Sequence, residues 1–67
     1  MQLTRLASDC PDGYTCPTIS KTDRGTIAVQ GYMLATDDSA SLSVPDGECV
    51  VEIPVEVLLE AARAYGT

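Results

Sequence analysis

Short runs of alternating apolar and polar residues occupy the chain up to residue 53, and a different period takes over after it. In Cys-Val-Val-Glu-Ile at 49–53, Cys49, Val51 and Ile53 point one way, while Glu48, Val50 and Glu52 point the other. That is the pattern of a half-buried strand, and it makes Cys49 a small buried hydrophobe rather than a reactive thiol. Pro54 then stops the ladder and suits the first position of a helix. From Val55 to Tyr65 every residue is helix-compatible. Leu58, Ala61, Ala62 and Tyr65 recur at helical spacing, and Val55 and Leu59 widen the stripe. Glu56 in the first turn and Arg63 in the last match the helix dipole, and Gly66 is placed as the C-cap.

Upstream, the same reasoning predicts strands and turns. Gln2 to Ala7 reads as a short first strand, with Leu3 and Leu6 out of phase. Residues 8–17 form a loop containing Pro-Asp-Gly, and Thr18 to Thr22 a short strand around Ile19. Asp23-Arg24-Gly25 reads as a three-residue hairpin connection with Gly25 left-handed. Thr26 to Leu34 is the longest predicted strand, and Gly31 within it marks a bulge, a bend or a close backbone approach. Residues 35–41 are a polar loop. Pro45-Asp46-Gly47 is a tight turn, with Pro45 at its first central position, that folds Leu42–Val44 back onto 49–53. The sum is an α+β fold: a small antiparallel sheet of about four or five strands in hairpins, with one C-terminal helix packed on it. A sheet bent towards a barrel at Gly31 is the variant. The 67 residues make a single small domain, 1–67.

Composition alters this picture in one respect. The chain has no Phe and no Trp, and one this short buries only about 60% of the surface of its unfolded state. Its core is therefore thin, and self-association, as a homodimer, is an expectation.

Charge and chemistry narrow the function. Net charge is −6, with ten acidic residues spread along the chain and four basic ones. Phosphate contacts supply most nucleic-acid affinity, so direct binding to DNA or RNA is not expected; a protein partner with a basic surface is. No segment suits a bilayer, and the N-terminus lacks the apolar run of a signal peptide, so a cytoplasmic location is expected. There is no His, no Gly-rich phosphate loop and no nucleophile–base pair. The reading is therefore non-enzymatic, with no catalytic residues and no cofactor. Glu48 and Glu52 on the acidic strand face, and Asp12 and Tyr14 in the 8–17 loop, are the candidate interaction residues.

Cys10 and Cys16 leave three readings open. Zinc wants four ligands, and Cys10, Cys16 and Cys49 supply three with no His. A Cys10–Cys16 disulfide would close a feasible loop, which a reducing cytoplasm would open. Free thiols in a loop are favoured over both. A small metal or redox module is the alternative function.

The run from Cys16 to Tyr32 (Cys-Pro-Thr-Ile-Ser-Lys-Thr-Asp-Arg-Gly-Thr-Ile-Ala-Val-Gln-Gly-Tyr), followed by Val-Pro-Asp-Gly-Glu and Val-Glu-Ile-Pro, resembles a group of small actinobacterial proteins of unassigned function. Their genes lie beside helix-turn-helix regulators and other small acidic proteins. The resemblance covers the chain from Cys16 to about Pro54 and rests on turns and strands. It implies an accessory protein that binds or modulates a regulator, and it brings no catalytic residues. Val-Glu-Ile-Pro-Val-Glu-Val-Leu is also similar to the strand-Ile-Pro-helix of swapped-hairpin transcription factors of the AbrB kind. Those bind DNA through basic residues that this chain lacks at the matching positions.

Overall fold

The computed structural model describes residues 1–10, 16–35 and 42–66. Within them the chain runs β1 (Leu3–Ser8), β2 (Thr18–Thr22), β3 (Ile27–Gln30), β4 (Tyr32–Met33), β5 (Val51–Glu52) and α1 (Val55–Tyr65). β1, β2 and β3 form a three-stranded antiparallel sheet in that order, and β4 pairs with β5 in a separate two-stranded one. The architecture is α+β, as the patterning predicts, and no barrel closes.

The out-of-phase leucines of β1 have a physical explanation. Arg5 faces Ser20 and Ala7 faces Ile19, so Leu6 is an extra residue in the ladder. Such a bulge directs two successive side chains to one side. Leu6 and Ala7 both reach the helix-covered face, where Ala7 is buried and Leu6 packs against it. Ile19 and Val29 stand opposite one another on that same face, as do Lys21 and Ile27. The other face carries Arg5, Ser20, Ala28 and Gln30 and is largely polar.

The 23–25 connection forms as its residues dictate. Gly25 takes φ 78°, and the Thr22 N–H donates to the Thr26 carbonyl at 3.0 Å. The Thr22 hydroxyl accepts the Arg24 and Thr26 N–H groups at 3.1 and 3.2 Å. Beside this turn the Asp23 carboxylate accepts the Gln2 N–H at 3.1 Å, which ties the start of β1 to it.

Gly31 divides the long predicted strand into β3 and β4, which join different sheets. The cause is close approach rather than a left-handed backbone. A Cβ on Gly31 would lie 2.6 Å from the Glu52 carbonyl oxygen and 2.8 Å from Ile53 Cγ2.

The helix occupies its predicted span, with two differences at the ends. Pro54 is the N-cap, extended at φ −61° and ψ 143°, rather than the first helical residue. Its carbonyl accepts the Val57 N–H at 3.1 Å. Gly66 caps the other end in right-handed geometry, its N–H donating to the Ala62 carbonyl at 3.2 Å. The helix lies over β1 and β2. Its buried residues are Val57 and Ala61, so the docked edge is centred one step round from the predicted Leu58–Ala62 stripe.

The second predicted hairpin does not form. The 45–48 turn is present, with Gly47 at φ 90° and the Glu48 N–H donating to the Pro45 carbonyl at 3.1 Å. Pro45 therefore precedes the central pair, which is Asp46 and Gly47. Leu42–Val44 is not a strand; β5 pairs instead with β4, Tyr32 opposite Glu52 and Met33 opposite Val51. Only two residues of 49–53 join a ladder, and Cys49 is exposed rather than buried. Cys49 lies two residues before the ladder, so the alternation that would bury it does not extend to its position.

Candidate functional site

Few side chains are removed from water. Among the described residues the buried hydrophobic core is Ala7, Ile19, Val57 and Ala61, joined by Leu6 and Ile53 at its margin. Two of those four are alanines. The large apolar side chains that sequence patterning assigns to a core are mostly outside it.

Their arrangement makes a surface. Because α1 lies over β1 and β2, the helix-side face of β3 is left open, and Ile27 and Val29 are each 48% exposed. The helix is apolar over a wider arc than the sheet covers, so Leu58 and Tyr65 remain 54% and 63% exposed. Between them runs an open groove of about 520 Å³. Its floor and one wall come from the sheet, through Leu6, Ile19, Ile27 and Val29. Leu58, Ala61, Ala62 and Tyr65 of α1 form the other wall, and Ile53 completes the lining. The Tyr65 hydroxyl is the only polar side-chain group among these residues. The helix charges lie elsewhere: Glu56, Glu60 and Arg63 share the turn positions about opposite to Leu58 and Tyr65. A lining of this kind binds by displacing water; it holds no acid, base or nucleophile.

The predicted interaction residues are not part of this groove. Glu48 closes the 45–48 turn and Glu52 lies in β5, both exposed. Asp12 and Tyr14 fall outside the described residues. The groove was not singled out from sequence. Its available signals were the phase slip at Leu6 and a helical stripe, Val55 to Tyr65, broader than one small sheet covers.

The cysteines resolve differently from the favoured reading of free thiols. Cys10 and Cys16 are joined in a disulfide, with Cα atoms 5.8 Å apart, inside the range a relaxed disulfide spans. The bridge sits at a neck that hydrogen bonds also hold. Asp9 N–H donates to the Pro17 carbonyl at 2.9 Å. The Thr18 hydroxyl donates to the Cys16 carbonyl at 2.8 Å and lies 3.1 Å from the Ser8 hydroxyl. β1 and β2 thereby stay paired to the base of the 11–15 segment. Cys49 is unpaired and exposed. Among the described residues, no three metal-ligating side chains come together, so the Cys10–Cys16–Cys49 zinc arrangement is not assembled there. No helix among them is long and apolar enough to cross a membrane.

No family model, curated protein or solved structure matches this chain.

Proposed function

We propose that the chain is a non-enzymatic protein-interaction module, an accessory to a transcriptional regulator. The observation that carries the reading is the apolar groove between α1 and β3, with Ile27, Val29, Leu58 and Tyr65 about half exposed around it. Apolar surface of this kind, contiguous and free of reactive groups, is what a protein partner covers. The acidic surface sets the sign of the partner. At a net charge of −6, with Glu48 and Glu52 exposed on the β5 side, a basic protein surface is attracted and a polyphosphate backbone is not. The resemblance of residues 16–54 to proteins encoded beside helix-turn-helix regulators supports a regulator as the kind of partner, and a cytoplasmic setting is part of this proposal.

The test is calorimetric titration of the full chain into the neighbouring helix-turn-helix protein at two salt concentrations. Binding with a negative heat-capacity change, weakened by salt, is expected. Glu48→Lys together with Glu52→Lys weakens it roughly tenfold, the scale for losing rim charges and their steering. No heat at low salt refutes the reading.

The disulfide favours a second reading, a small redox module in which Cys10 and Cys16 cycle between dithiol and disulfide. A reduction potential in the cytosolic range supports it. A potential below about −300 mV makes the bridge structural instead.

A further inference from the structure

We propose that the outer edge of β3 takes up an extended segment of a protein partner as a fourth, antiparallel strand. The proposal rests on the interaction reading above and names the element of the partner that is bound.

The hydrogen-bond alternation of the hairpin fixes which groups face that edge. The Thr22 N–H donates to the Thr26 carbonyl at 3.0 Å, so these two residues are a bonded pair. In an antiparallel ladder bonded pairs alternate with non-bonded ones. Along the observed register, Ser20–Ala28 and Thr18–Gln30 are therefore bonded, and Lys21–Ile27 and Ile19–Val29 are not. The N–H and C=O groups of Ile27 and Val29 point away from β2 instead. β3 is the last strand of its sheet, so among the described residues no further strand meets them.

The two edges of this sheet are not alike. Proteins blunt exposed edges with bulges, charges and proline, because unpaired backbone templates another strand. β1, at one edge, has its bulge at Leu6 and a charge at Arg5. β3, at the other, reads Ile-Ala-Val-Gln, with neither charge nor proline, and pairs with β2 without a break in register. Its length of four residues suits one short segment.

The neighbours of β3 set the chemistry of that segment. A residue placed opposite Ile27 or Val29 in an antiparallel strand turns its own N–H and C=O towards β3 and its side chain towards the helix side. There it extends the apolar floor that Ile27 and Val29 begin, so alternate residues are apolar. The Ile27 end of β3 lies beside Lys21 and the 23–25 turn with Arg24, whereas the Gln30 end leads into Gly31, against Glu52. An antiparallel segment has its N-terminus at the Glu52 end, and basic residues belong there. A second copy of this chain would bring a further −6 to the −6 already present, and a basic segment brings the opposite sign.

The test is nuclear magnetic resonance of the full chain, with its disulfide intact, titrated with the end-capped peptide Lys-Lys-Val-Thr-Val-Thr to about 5 mM. In the free chain the Ile27 and Val29 amides exchange with solvent at least about tenfold faster than those of Ala28 and Gln30. The peptide is expected to bind with a dissociation constant of about 1 mM and to slow exchange at Ile27 and Val29. N-methylating its two valines raises that constant roughly thirtyfold, through two lost amide hydrogen bonds. N-methylating its two threonines, whose amides face away, leaves it within about twofold. Equal binding by the two methylated isomers overturns the proposal, as does no response at about 5 mM. Protection of Ile27 and Val29 that grows with chain concentration alone also overturns it and gives the edge to a second copy. The regulator titration is read separately. A regulator that binds while the edge fails leaves the interaction reading standing without this proposal. An edge that takes the peptide while the regulator gives no heat removes the regulator and keeps the edge; failure of both removes both.

Discussion

Replacing Gly31 by alanine sets two effects against each other, and the structure says which is larger. Its φ is not in the left-handed region, so alanine meets no backbone objection there. Stiffening the unfolded chain alone would then stabilise the protein by about 0.4–1 kcal/mol. Against that, the new Cβ falls 2.6 Å from the Glu52 carbonyl oxygen, 2.8 Å from Ile53 Cγ2 and 3.1 Å from Val51 Cγ2. The nearest of these is backbone in β5 and cannot rotate away. Relief requires β4 and β5 to separate, and their two-residue ladder has little to resist with. Overpacking of this kind costs about 1–3 kcal/mol, so the net expectation is a loss of about 1–2 kcal/mol. In a domain of this size that lowers Tm by about 4–16 °C.

Thermal unfolding by circular dichroism, at one fixed protein concentration, measures the loss. Amide exchange at Met33 and Val51 shows where it is felt, since protection there should drop before that of Ile19. Gly25→Ala and Gly47→Ala are the controls. Both sit at positive φ with no atom within 4 Å of a new Cβ, so they lose stability through backbone strain of about 1–2 kcal/mol and leave the β4–β5 amides alone. A Gly31→Ala protein as stable as the parent, or more so, would refute the close approach of β4 and β5 and the division of the long strand that depends on it.

Two further outcomes follow from burial and from the bridge. Val57→Ala, at a site 2% exposed, costs about 2 kcal/mol in urea unfolding from lost burial plus a partial cavity, while Val55→Ala, 65% exposed two residues earlier, stays within about 0.5 kcal/mol. Equal effects would mean that the helix docks on another face. Cys10→Ser with Cys16→Ser lowers stability by about 2 kcal/mol, the loop-closure term for a separation of six residues. Reductant should then destabilise the parent by a similar amount and leave the double variant unchanged; an effect of reductant on the variant would trace it to something other than this bridge.

What the amino-acid order determined was whatever neighbouring residues decide among themselves. The limits of α1 and β2, the left-handed glycines of the 23–25 and 45–48 turns and the break at Gly31 all follow from φ preferences, periodicity and missing side chains over a few residues. Partners distant in the chain were another matter. Leu42–Val44 and Tyr32–Met33 are both plausible mates for β5, and the nearer one is favoured by its turn. The structure selects Tyr32–Met33, because the bare backbone of Gly31 lets that segment lie against Glu52 and Ile53. The same limit applies to the faces of the helix. Periodicity marks a broad apolar arc from Val55 to Tyr65, but only docking on β1 and β2 makes Val57 and Ala61 the buried edge and leaves Leu58 and Tyr65 at the groove. A helical pattern fixes which side chains sit together; the width and position of the sheet beneath it decide how many of them are covered.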